Sequence, residues 1–173
     1  MEENKTATEI LSILKTTIEE FYKDEKNYFS FVRGRERSIV FRVAHRLADK
    51  IENEIKVAEN NELIFVDIEV NRCNGKIKRN STNNIIRPDL CVHKRNGTGY
   101  LVAEFKCGNS SSTSDFAKLE LLTMAKEKYN NLNECCPSYQ LGAFVRLKDN
   151  EVQLITFKNG KETNREIIRN REI

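Results

Sequence analysis

Apolar residues recur every three or four positions in two stretches near the start of the chain. Ile10, Leu11, Leu14, Ile18, Phe21 and Tyr22 form one stripe within Ala7 to Lys23, which predicts an amphipathic helix docked on the core or on a second subunit. After a polar break at Asp24 to Asn27, Val40, Val43, Leu47 and Ile51 form the second stripe, and Glu36 sits one turn ahead on it. That carboxylate is expected to face inward, where it needs a partner such as a metal or an Arg. Alternation with period two takes over from Leu63 to Val70 and reads as a strand. A hairpin follows: Leu90-Cys91-Val92-His93 lies against Tyr100-Leu101-Val102-Ala103, with Asn96-Gly97 in the turn. Ser111 to Ser114 can cap a helix from about Asp115 to Tyr129, with Phe116, Leu119, Leu122 and Ala125 on one side. Two strands come next, Tyr139 to Leu147 and Glu151 to Phe157, split by the turn-like Lys148-Asp149-Asn150. The charged stretch from Lys158 to Ile173 is expected to be a short helix or a frayed end.

The hairpin concentrates chemistry at one end. Its fold brings Asp89, at the start of one strand, near Glu104-Phe105-Lys106 at the end of the other. Side chains two apart on a strand share a face, so Glu104 and Lys106 point together and Phe105 packs on the opposite side into a core. Pro88 lacks an amide hydrogen, and at a strand entrance it only stiffens the approach to Asp89. Asp and Glu oxygens suit a hard divalent cation, and a nearby Lys can orient or help deprotonate a water that attacks a phosphate. This is the chemistry of nucleic-acid hydrolysis.

Pro88, Asp89, Glu104 and Lys106 resemble the signature of the PD-(D/E)XK nuclease superfamily, and the resemblance extends over about residues 33–157. It implies an α/β fold: a restriction-endonuclease-like core in which a central mixed β-sheet is flanked by helices, in the order α-β-β-β-α-β plus an extra strand, with an additional N-terminal helix. It further implies that Asp89, Glu104 and the backbone carbonyl of Phe105 hold Mg2+, for which Mn2+ can substitute, and that Lys106 positions the attacking water. Glu36 would complete the site on a second ion or an ordered water. A 5′-phosphate product and, for a duplex substrate, a homodimer are implied in the same way. Asp115 and Lys118-Leu119 resemble a D-x-x-K-L arrangement found after the catalytic lysine in some members. Lys118 reads as a phosphate contact or as a partner of Asp115, not as a catalytic group.

Length and composition are consistent with this. The chain has 173 residues, 39% of them hydrophobic, which suits one domain with a real core: a helical extension over 1–30, a nuclease-like core over 33–157 and a polar tail over 158–173. A net charge of +3 is too weak by itself to indicate nucleic acid. Local clusters say more. Arg72, Lys76, Lys78, Arg79 and Arg87 crowd the connection into Asp89 and, with Lys118, are the candidate contacts to nucleic acid, DNA being favoured over RNA. Arg35, Arg42, Arg46 and Lys50, on the Glu36 helix, read equally as phosphate ligands or as a solvated face.

Cys73, Cys91, Cys107, Cys135 and Cys136 show no C-x-x-C spacing, and His45 and His93 are isolated, which argues against zinc. The odd cysteine count and the lack of a signal peptide or long apolar run predict a soluble cytoplasmic protein with free thiols and no membrane association. Cys107 has no His partner and reads as a packing thiol. Asp67 and Glu69 share a strand face, and Glu69 reads either as solvent-facing or as a further acid near the metal. Restriction, phage defence, mobile-element maintenance or repair would suit such an enzyme. Other function classes stay open: a catalytically silent nucleic-acid-binding or assembly module of the same fold, an RNA-directed nuclease, or an interaction protein whose acids merely pair with its arginines. In the last case Glu36, Asp89 and Glu104 would lie far apart.

Overall fold

A computed structural model of the chain describes residues 2–25, 36–55, 63–73, 76–78, 84–95, 97–124, 138–148 and 151–169. Helix α1 spans Glu2–Asp24 and α2 spans Glu36–Glu54. Strand β1 (Ile64–Ile68) follows, then two short strands, β2 (Arg72–Cys73) and β3 (Lys76–Ile77), which pair with each other. β4 (Leu90–Lys94) and β5 (Gly99–Cys107) form the predicted hairpin, α3 spans Thr113–Thr123, and β6 (Tyr139–Leu147), β7 (Glu151–Lys158) and β8 (Lys161–Arg169) follow. The protein is α/β: the described residues form a six-stranded mixed sheet in the order β1-β4-β5-β6-β7-β8 with three flanking helices. Among the described strands only β5 and β6 run parallel, which requires the crossover that α3 begins.

The helical stripes explain the layering. Ile10, Leu14, Ile18 and Phe21 of α1 join Val40, Val43, Leu47 and Ile51 of α2 in one buried cluster with Leu101, Ala103 and Phe105 of β5 and Val145 of β6. Alternate residues of the same strands, among them Val102 and Phe144, turn to the other face and pack with Leu119 and Leu122 of α3. Thus α1 and α2 cover one face and α3 the other. α1 docks on its own chain, as one of the two options read from its stripe. Tyr22 Oη donates to the Lys148 carbonyl at 2.8 Å, and Arg46 and Lys50 of α2 pair with Asp24 and Glu20 of α1 and with Glu25 just after it.

The hairpin register is the expected one: Leu90 opposes Ala103, Cys91 opposes Val102 and Val92 opposes Leu101, with a bulge before His93 meets Gly99. Asp89 therefore lies across from Glu104. Three stretches depart from expectation. β1 ends at Ile68, because Glu69 takes a positive φ of 51°, so Asp67 and Glu69 do not share a strand face. Helix α3 stops at Thr123, where Met124 turns extended, and the rest of the expected helix to Tyr129 lies outside the described residues. The stretch expected as a short helix or frayed end is instead strand β8, joined to β7 through Asn159 and Gly160 with φ of 53° and 74°. That pair of left-handed residues makes a tight turn whose twist suits antiparallel strands. Among the described residues no helix is long and apolar enough to cross a membrane.

Candidate functional site

Four elements meet at the carboxyl end of β5. The end of β5 delivers Glu104, Lys106 and Cys107, the start of β4 brings Asp89 alongside, the first residue of α2 contributes Glu36, and the first turns of α3 contribute Asp115 and Lys118. Parity works as read from the sequence. Phe105 is buried among α1 and α2 on one face, while Glu104 and Lys106 project to the face that α3 covers.

Each acid has a distinct set of partners. Asp89 Oδ2 accepts the Phe105 backbone N–H at 2.7 Å, which ties the entrance of β4 to the end of β5. Glu36 Oε2 accepts the Cys107 N–H at 3.1 Å, and its Oε1 lies 3.5 Å from Lys106 Nζ. Lys106 Nζ is also 3.5 Å from Asp115 Oδ2, and Asp115 Oδ1 lies 3.3 Å from Lys118 Nζ. Lys118 in turn donates to Glu104 Oε2. The inward carboxylate of Glu36 thus found a backbone amide and a lysine as partners. Glu104 is 1% exposed, and its Oε1 has no hydrogen-bond partner among the described residues.

Desolvation dominates the electrostatics. Burial, reinforced by the neighbouring Asp89 charge, pushes the Glu104 carboxyl up to about 8 against the pull of Lys118. Burial also raises Asp89, although the Phe105 N–H and Lys118 offset part of the rise. For Lys106, burial works to lower the pKa, but Asp115 and Glu36 outweigh it and hold the ammonium above its ordinary value. The same contest at Lys118 is won by Glu104 and Asp115. Burial lifts the Cys107 thiol to about 11, so it is no nucleophile at neutral pH and has the packing role expected of it.

Asp89, Glu104, Lys106 and Glu36, the four residues read as catalytic, all belong to this assembly. They do not gather as a single cation cage: among the described residues no three His, Cys, Asp or Glu side chains form a group that could hold a metal ion. The oxygen donors that fit a hard cation are Asp89 and Glu104, because the buried, unpartnered Oε1 of Glu104 is an acceptor that lacks a donor. Glu36 stands apart, occupied by Cys107 and Lys106.

The residues read as nucleic-acid contacts fare unevenly. Lys78 is 1% exposed; its Nζ donates to the Val70 carbonyl at 3.0 Å and to Tyr139 Oη at 3.1 Å, so it is an interior cation with no surface to offer a phosphate. Arg87 is exposed and lies 3.9 Å from Glu69, which also binds Arg37 at 2.6 Å. Glu69 therefore holds two arginines beside Asp89, whose carbonyl accepts the Glu69 N–H. Arg72 and Lys76 have backbone positions in β2 and β3, and Arg35 and Arg79 lie outside the described residues, as do Asn96, Cys135 and Cys136. Arg42 pairs with Glu25, just past α1, and Arg46 and Lys50 pair with acids of α1, at the junction of the two helices. His93 accepts a plain role beside Asp67 at 3.0 Å.

Sequence alone assigns no task to two residues of this assembly. Asp115 enters there through its D-x-x-K-L resemblance and as a helical neighbour of Lys118, and the structure shows it touching both lysines of the site. Arg146 lies beside Lys106 in the parallel β5–β6 register and donates from Nη2 to the Ser110 carbonyl at 3.0 Å. Its place depends on pairing across a crossover, for which local sequence carries no signal. No protein-family model matches the chain, and no curated protein matches it.

Proposed function

We propose that the protein is a metal-dependent nuclease that hydrolyses phosphodiester bonds, with DNA favoured over RNA, on a restriction-endonuclease-like core of the PD-(D/E)XK type. The observation that carries this reading is the meeting of Asp89 and Glu104 across β4 and β5, with Lys106 on the same face as Glu104 and the buried Oε1 of Glu104 lacking a partner. An acceptor so placed is expensive to leave unsatisfied, and a divalent cation satisfies it. Asp89 and Glu104, joined by the Phe105 carbonyl as the resemblance implies, are the residues that would hold Mg2+ or Mn2+. A metal bound there supplies a Lewis acid for the phosphoryl oxygen and offsets charge on the departing 3′ oxygen.

The chain's own groups have definable tasks. Lys106 is an ammonium at neutral pH, since Asp115 and Glu36 outweigh its burial, so it orients a water as a donor and does not take the proton. Glu36 holds Lys106 from one side and Asp115 from the other, at 3.5 Å each. Arg37 and Arg87, clustered on Glu69 next to Asp89, are exposed cations suited to phosphates flanking the cleaved bond.

A second reading, a silent binding or assembly module of the same fold, is favoured by one observation: among the described residues no three acids form a metal-holding group. The two readings separate in one experiment. Supercoiled plasmid, linear duplex, single-stranded DNA and RNA are incubated with the protein in Mg2+, Mn2+ or EDTA, beside Asp89→Ala and Lys106→Ala. The nuclease reading expects metal-dependent cleavage that both substitutions abolish. Folded protein that cuts none of these substrates with either metal leaves the silent module.

A further inference from the structure

The sequence offers Lys118 as a phosphate contact or a helical ion pair, and its geometry suits neither role alone. Its Nζ donates to Oε2 of Glu104, a side chain that is 1% exposed, and is held by Asp115 Oδ1 at 3.3 Å. Asp115 is itself buried, and its other oxygen forms an ion pair with Lys106 at 3.5 Å although it makes no hydrogen bond among the described residues. A surface ion pair contributes little and leaves both partners free to turn. Here one partner is enclosed and the other is anchored, so the orientation of the Glu104 carboxylate is constrained.

The consequence lies in which oxygen is left over. With Oε2 engaged by Lys118, Oε1 of Glu104 stays buried and without a hydrogen-bond partner among the described residues. We propose that Lys118 and Asp115 are a positioning pair: Lys118 fixes Oε2 of Glu104 so that Oε1 stays available as the metal-facing donor, and Asp115 locks both Lys118 and Lys106 in place. This rests on the nuclease reading of Asp89 and Glu104. One buried acid at the start of α3 then couples the metal ligand to the water-orienting lysine, and the crossover helix becomes part of the site. Neither residue touches the reacting atoms; both act through the groups they hold.

The sign of the effect separates positioning from simple charge. Lys118→Met removes a positive charge beside a cation site, and by Coulomb's law alone it would tighten metal binding. Positioning requires the opposite. In isothermal titration with Mn2+ and no nucleic acid present, Lys118→Met is expected to bind about 10-fold or more weakly than the unaltered chain, in line with the loss of groups that orient metal ligands. Lys118→Arg, which keeps the donor, should recover part of that loss. Lys106→Met removes the same charge without touching Glu104 and should bind no more weakly than the unaltered chain. Should Lys118→Met fail to fold, Lys118→Gln and Lys118→Arg carry the same comparison. Equal or tighter Mn2+ binding by the Lys118 variants overturns the positioning role and leaves the nuclease reading standing. Absence of Mn2+ binding by the folded, unaltered chain overturns both.

Discussion

Glu104 is enclosed at the end of β5 with a proton affinity that burial has shifted from its ordinary value of 4.5 to about 8. Asp89 is shifted in the same direction for the same first cause. An acid that binds its proton more tightly folded than unfolded favours the folded state below the unfolded pKa, and that contribution is lost as pH rises through the folded pKa. In EDTA, therefore, the melting temperature should fall between about pH 5 and pH 8. Glu104→Gln, which has no proton to lose, should flatten much of that fall; a slope unchanged by the substitution would show that Glu104 is not the buried acid responsible. Mn2+ added near pH 8 should restore stability to the unaltered chain and not to Glu104→Gln. Lys78 shows how far identity alone can mislead at this scale. As a lysine among basic neighbours it read as a phosphate ligand, but the fold surrounds it with Val70, Tyr139 and Cys91. Nothing local distinguishes a surface lysine from a buried one whose ammonium is satisfied by a carbonyl and a hydroxyl.

At the scale of elements, the site depends on how closely α3 approaches the sheet. Gly142 of β6 makes that approach feasible: a Cβ there would meet Thr123 Cγ2 at 2.9 Å, Phe157 Cβ at 3.1 Å and Leu119 Cδ2 at 3.4 Å. Gly142→Val should push α3 outward, lowering stability by about 1–3 kcal/mol in urea titration, as overpacking commonly does. Because α3 carries Asp115 and Lys118, the same variant should bind Mn2+ more weakly although it lies away from the carboxylates. Phe105 anchors the opposite face. Phe105→Ala should lower stability by about 3–5 kcal/mol in the same assay, through lost burial and the cavity left among α1 and α2. The β7–β8 hairpin was legible in principle, since Asn159-Gly160 repeats the Asn-Gly signal that located the β4–β5 turn. It was obscured because β8 lies at the sheet edge with most of its side chains in water, so its charged residues show no apolar alternation.

Over the whole molecule, α1 acts as the lid of the larger core cluster. Ile10, Leu14, Ile18 and Phe21 are each fully buried, and at about 1.5–3 kcal/mol for each such side chain they contribute on the order of the entire stability of a small domain. Deletion of residues 2–24 should therefore abolish cooperative unfolding and near-ultraviolet circular dichroism, and a chain that still melts cooperatively would show α1 to be an accessory. Ion pairs between α1 and α2, such as Arg46 with Asp24, are exposed enough that raised salt should shift stability little by comparison.

The sequence by itself determined the helices α1 and α2, the hairpin and its register, the parity that separates Phe105 from Glu104 and Lys106, and the meeting of Asp89 with Glu104. All of these follow from periodicity or from a turn only a few residues long, which are local properties of the chain. Tertiary structure alone decided that α1 covers its own core, that Asp115 and Lys118 join the acids, that Arg146 lies beside Lys106, and that Lys78 is interior. Those outcomes depend on a parallel crossover and on which faces of the sheet each helix covers. They arise from burial shared among distant segments, a quantity that no short window of sequence contains.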